Sequence, residues 1–124
     1  MAPPTASAGA STLAACSALI AYIDARFGGP FALVANARIA PRAAYTNLTD
    51  EKWDKALNVN LKGQIRLISV AAPKMAANRQ GAIACVSSIA GSVVGWDDHW
   101  HYSAAKAGIT GQTILVDGRL PVAL

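Results

Sequence analysis

At 124 residues, with 53% hydrophobic and 15% charged side chains, the chain has the size of one globular domain and is too apolar for a disordered segment. Its net charge of +4 comes from eleven basic against seven acidic residues. The cations are scattered: Arg38 with Arg42, and Lys52 with Lys55, make no basic stripe interleaved with aromatics, which argues against nucleic acid as a partner. Cys16 and Cys85 are isolated thiols with no Cys-x-x-Cys, and read as small buried hydrophobes in a reducing cytosol. His99 and His101 flank Trp100 without further ligands nearby, so no metal is expected.

Residues 1–10 are small and proline-rich and are expected to form a loose tail ahead of one domain over 11–124. Ser11 or Thr12 is placed to cap a helix running to about Arg26, with Leu13, Cys16, Leu19, Ile20, Ile23 and Phe27 at helical spacing. The apolar stretch from Leu13 to Ile23 is too short to span a membrane and runs into Asp24 and Arg26. A cytoplasmic protein without a membrane partner is the expectation. Gly28-Gly-Pro30 ends the helix, and Phe31-Ala-Leu-Val-Ala-Asn36 then reads as a strand buried on both faces, as in a parallel sheet.

Thr49 is placed as the N-cap of a long helix, with Asp50 and Glu51 favoured at its positive end and Leu48 and Trp53 spaced as a hydrophobic staple. Trp53, Ala56, Leu57, Asn60, Leu61, Leu67, Ile68 and Ala71 follow its inner face, so the Asn60 amide falls inside, where it needs partners. Hydrogen bonding to nearby backbone alone would satisfy it. Gly63 and Pro73 are expected to bend or interrupt this helix. Ala82-Ile-Ala-Cys-Val-Ser87 is a second buried-strand pattern. Trp96 and Trp100 in the following loop either line a pocket or plug the space beneath it. Thr113-Ile-Leu-Val-Asp117 reads as a last strand. The order helix, strand, long helix, strand, short helix, strand argues α/β with a parallel sheet.

Tyr102-Ser-Ala-Ala-Lys106 stands out chemically. On a helix, Tyr102 and Lys106 share a face one turn apart, and an ammonium near a phenol favours the phenolate. Parallel sheets present functional groups beyond the carboxyl ends of their strands, where Asn36 and Ser88 lie. Taken in order, Val34-Ala-Asn-Ala-Arg-Ile39, Leu48-Thr-Asp-Glu-Lys-Trp53, Val59-Asn-Leu-Lys-Gly63, Gly81 through Gly91 and Tyr102 through Gly108 resemble the short-chain dehydrogenase/reductase family, most closely its 3-oxoacyl carrier-protein reductase-like members.

The resemblance implies a partial Rossmann-like, doubly wound parallel sheet and hydride transfer between NAD or NADP and a small-molecule carbonyl or secondary alcohol. It implies Tyr102 as general acid/base and Lys106 as the cation that lowers its pKa and holds the nicotinamide ribose. Ser88 would polarise the substrate oxygen and Asn60 would anchor a water in the proton relay. Asn36 and Ala37 would join Tyr102 and Lys106 in binding cofactor, and a homo-oligomer is implied. Ser88 precedes Tyr102 by one position more than the family's usual spacing, and Ser87 would widen the mismatch.

The chain departs from the family in three places. It holds no Thr-Gly-x-x-x-Gly-x-Gly turn, the element that sets backbone N–H groups against a pyrophosphate, so the first βαβ unit is expected to be missing. The catalytic helix runs directly into the last strand pattern. Arg38 stands where the family has glycine, and is expected to crowd the cofactor. A shortened oxidoreductase with impaired turnover is the leading expectation. A non-catalytic, self-associating fragment or interaction module is the alternative, together with a chain that does not fold stably.

Overall fold

The computed structural model describes residues 11–109, so the expected tail over 1–10 and the expected strand over 113–117 lie outside the described residues. Helix α1, Leu13–Phe27, is capped by the Thr12 hydroxyl, which accepts from Ala15 N at 3.2 Å, and closes on Gly28 with φ +76°. A left-handed residue suits glycine because a Cβ would clash there. Strand β1 spans Ala32–Ala35. After a single 3₁₀ turn at Tyr45–Asn47, helix α2 covers Asp50–Leu57, with Thr49 capping Lys52 N as the sequence indicates.

Helix α2 passes through π-type turns at Asn58–Lys62 into α3, Gly63–Ala77. Such widened turns cluster at functional sites. The irregularity thus falls just ahead of Gly63, as the glycine suggests. Pro73 does not interrupt α3, which continues past it to Ala77. Pro73 lies on the exposed side, where water can take the carbonyl that its missing N–H leaves free. Asn60, Gln64, Leu67 and Ala71 form one buried stripe at helical spacing. Strand β2, Ala82–Cys85, follows, then α4, a kinked turn over Ile89–Ser92, and helix α5, Trp100–Ala107.

The strands form a parallel pair, Ala32 opposite Ala82 and Ala35 opposite Cys85, extended by Val86 N donating to Ala35 O at 3.0 Å. Joined through a helix, they make the expected α/β unit. Cys16 and Ile20 of α1 pack with Leu67, Ala71 and Met75 of α3 over Leu33 of β1. Lys74 of α3 pairs with Asp24 of α1.

The strands are not buried on both faces. In β1 only Ala35 is buried, while Val34 is 66% exposed, and all four residues of β2 are exposed. The reason is coverage: α1 and α3 sit over the face of β1 that carries Leu33, and β2 lies beyond most of that cover. Cys85 is correspondingly exposed, against expectation, whereas Cys16 is buried and burial raises its thiol pKa. Among the described residues no helix is long and apolar enough to cross a membrane.

Candidate active site

Everything the sequence marks for chemistry lies on three supports: the loop after β1, the buried stripe of the long helix, and the segment from the end of β2 through α5. Asn60 is fully buried. Its Oδ1 accepts from Ile39 N at 2.8 Å and its Nδ2 donates to Ile39 O at 2.9 Å. One amide therefore clamps both backbone groups of a residue in the loop that continues β1. Backbone bonding, one of the two roles open to Asn60 from the sequence, is thus present.

Lys106 is also fully buried, and its Nζ donates to Val86 O at 2.6 Å, one residue beyond β2. Gln64 Nε2 reaches the same carbonyl at 3.3 Å. Burial pushes the Lys106 ammonium below the usual lysine range, and the nearby Arg38 guanidinium pushes it further the same way, with Cys85 opposing. Ser87, the neighbour of the predicted serine, ties the base of the same helix by donating from Oγ to Lys106 O at 2.9 Å.

Ser88 is the N-cap of α4, its Oγ accepting from Ala90 N at 3.2 Å. Gly91 in that turn has φ +94°, and a Cβ there would lie 2.1 Å from Ser103 O. Only glycine lets the turn press so closely on α5. Ser88 is thereby carried beside the helix that bears Tyr102 and Lys106. Tyr102 is 4% exposed, its ring stacked with Trp96 at 6.3 Å and 17° and edged by His99.

The hydrogen bonds of Asn60 run to Ile39, and that of Lys106 Nζ to Val86, so neither residue bonds directly to another of the four. Lys106 shares the Val86 carbonyl with Gln64, which lies on the same buried stripe as Asn60. The two strand-end loops are themselves linked by Arg42 to Asp98 at 3.2 Å and Ala43 N to Asp98 O at 2.8 Å. Asn36 and Arg38 are exposed and Ala37 is half-buried on the first of these loops.

Neither tryptophan is a buried plug: Trp96 stacks on Tyr102, and Trp100 meets Tyr45 edge-on, with both indoles about half exposed. An open apolar groove lined by Met75, Ala76 and Ile83 lies at the other end of β2, away from these residues. His101 is fully buried against Trp53, with both ring nitrogens lacking hydrogen-bond partners. Desolvation first, then His99 and Lys52, push its pKa down, so it packs as a neutral ring.

Sequence reasoning missed Gln64, although it lies four residues after Asn60 on the same buried stripe, which is a readable signal. It missed the Val86 carbonyl for a better reason: a backbone acceptor has no residue type. Among the described residues no group of three or more metal-ligating side chains occurs.

Comparison with known proteins places these residues in context. The family model described as short chain dehydrogenase matches residues 5–116. The 3-oxoacyl acyl-carrier-protein reductase of Thermotoga maritima is 38% identical over 88 residues, covering 71% of this chain and 35% of that protein. The Staphylococcus aureus protein of the same name is 36% identical over 96 residues, covering 77% and 39%. Nodulation protein G of Azospirillum brasilense is 35% identical over 103 residues, covering 83% and 42%. The chain thus spans well under half the length of the curated relatives it matches.

Proposed function

The chain belongs to the short-chain dehydrogenase family, and from that premise we propose that it carries the acid–base half of an NAD(P)-dependent oxidoreductase acting on a carbonyl or secondary alcohol. The observation that carries the reading is Lys106: a buried ammonium anchored at the end of β2, one turn from a buried Tyr102, on a helix held against the Ser88 turn. A lone buried cation is costly to keep and has no evident structural need in a core of this size. It suits a site that must favour a phenolate.

In this reading Tyr102 Oη holds and moves the proton at the substrate oxygen, and Ser88 Oγ donates to that oxygen. Lys106 sets its ammonium on the same helix one turn after Tyr102. Asn60 positions the loop after β1 through Ile39. The cofactor, when bound, supplies or accepts the hydride. The donor set fits one ribose: Lys106 Nζ has three N–H groups and uses one on Val86 O, next to the loop of Asn36 and Ala37. No glycine-rich pyrophosphate turn occurs in these 124 residues, so weak cofactor binding and slow turnover are expected of the chain as it stands. The names of the relatives make a 3-oxoacyl thioester the first substrate to try.

Oxidation of NADPH or NADH by such a thioester, followed in absorbance, tests this. Tyr102→Phe is expected to lower the rate by about 100-fold or more with an unchanged fold. A rate that survives Tyr102→Phe would remove the catalytic assignment.

A second reading, a self-associating module, is favoured by the bare sheet. Phe31 and Val34 are each 66% exposed, and among the described residues β1 and β2 each pair on one side only, with no charge or proline among Phe31–Ala35 to discourage pairing. Light scattering across concentration is expected to show mass rising above that of one chain. A constant monomer mass with a cooperative melt would exclude it.

A further inference from the structure

Arg38 and Arg42 are the charged residues between β1 and the 3₁₀ turn; Arg42 is paired with Asp98, and Arg38 is exposed. Among the described residues its guanidinium makes no ion pair and no hydrogen bond. Its position is nevertheless well determined. The next residue, Ile39, is clamped at both N and O by Asn60, and four residues along the same helix Gln64 holds Val86 O. Val86 N also donates to Ala35 O at 3.0 Å, so the loop that carries Arg38 leaves β1 next to the residue whose carbonyl receives the Lys106 ammonium.

Two cations thus meet where both parallel strands end. On the linked loop that follows β2, Asp98 is engaged by Arg42, and Asp97 beside it forms no ion pair with Arg38 or Lys106. Their mutual repulsion is felt in the proton affinity of Lys106, which burial lowers first and Arg38 lowers next. An exposed guanidinium without an ion pair, with a buried ammonium at the end of the neighbouring strand, suits a doubly charged oxyanion. Strand carboxyl ends in parallel α/β sheets are also where such groups bind.

We infer that Arg38, backed by the buried Lys106, forms an anion site that takes a phosphate or diphosphate group. The guanidinium makes the direct contact, and the ammonium adds field from the protein side. The site gives by side-chain charge what a glycine-rich turn gives by backbone N–H groups. It requires no turnover, so it stands or falls apart from the acid–base reading.

The test is calorimetric titration of the intact chain and of Arg38→Gly and Arg38→Gln with inorganic pyrophosphate, inorganic phosphate and ADP. Both variants should melt like the wild type, since Arg38 is exposed and holds nothing. Pyrophosphate binding is expected to weaken by about tenfold in each variant, the loss of a charge-assisted contact. Equal Arg38 dependence for ADP and pyrophosphate would support the site with a nucleoside diphosphate as its source. Dependence for the inorganic anions alone would support it with free phosphate as the source. The proposal is overturned if Arg38→Gly binds pyrophosphate as tightly as the wild type or more tightly. It is equally overturned if the wild-type chain shows no pyrophosphate binding. Tighter ADP binding by Arg38→Gly would show that the side chain crowds the ligand instead.

Discussion

Replacing Asn60 by alanine is expected to destabilise the chain by about 2–4 kcal/mol, lowering the melting temperature by about 10 °C or more. The change removes two hydrogen bonds at once, leaves Ile39 N and O without their partner, and opens a void at a fully buried position. The effect should reach beyond stability, because the released loop carries Asn36, Ala37 and Arg38. Asn60→Asp gives a sharper readout. Its protonated carboxyl can both accept from Ile39 N and donate to Ile39 O, whereas the carboxylate faces Ile39 O with no proton to give. Asn60→Asp should therefore approach wild-type stability in acid and lose it as the pH rises through the carboxyl pKa. Thermal or denaturant melts across pH measure this. A loss under about 0.5 kcal/mol for Asn60→Ala would mean that the loop is held by other contacts.

Lys106→Met is expected to act in opposite directions on stability and on chemistry. A lone buried ammonium beside another cation is unfavourable, and methionine fills similar volume without the charge. The loss of the bond to Val86 O offsets part of the gain, since Gln64 still serves that carbonyl. A net stabilisation of about 1 kcal/mol or more at neutral pH follows, readable as several degrees in the melt. Its pH dependence has a definite sign. The folded pKa of Lys106 is depressed, so between that value and the ordinary lysine value of 10.5 the unfolded chain binds more protons than the folded one. Wild-type stability therefore rises with pH through this window, and the penalty is fully present below it. Lys106→Met should lack that rise, so the two melts converge at alkaline pH. Reductase activity should fall by about 100-fold in the variant, because the site loses the ammonium one turn from Tyr102. A variant that melts lower than the wild type at neutral pH would show that the ammonium supports the fold rather than a reaction.

The local elements were legible in the residues themselves. Helical spacing of apolar side chains, the Thr12 and Thr49 caps and the Gly28 stop mark α1 and α2 because each acts within one or two helical turns. The alternation of strand and helix determined a parallel α/β arrangement, since parallel strands need a crossover. The buried place of Asn60 followed from its helical register, and the shared face of Tyr102 and Lys106 from their spacing.

What only the tertiary structure decided are contacts between residues far apart in the chain, for which local periodicity holds no information. The apolar runs of β1 and β2 predicted burial on both faces, yet burial depends on which helices cover the sheet, so Val34 and Cys85 are exposed. The Asn60 clamp on Ile39 spans 21 positions and the Lys106 contact with Val86 spans 20, and both partners are backbone groups, which every residue carries. The same holds for Arg38. By sequence it is a bulky residue in a glycine's place. Its influence on Lys106 arises only because β1 and β2, far apart in sequence, pair side by side and end together. Electrostatics act through space rather than along the chain, and so appear only once the fold has set the distances.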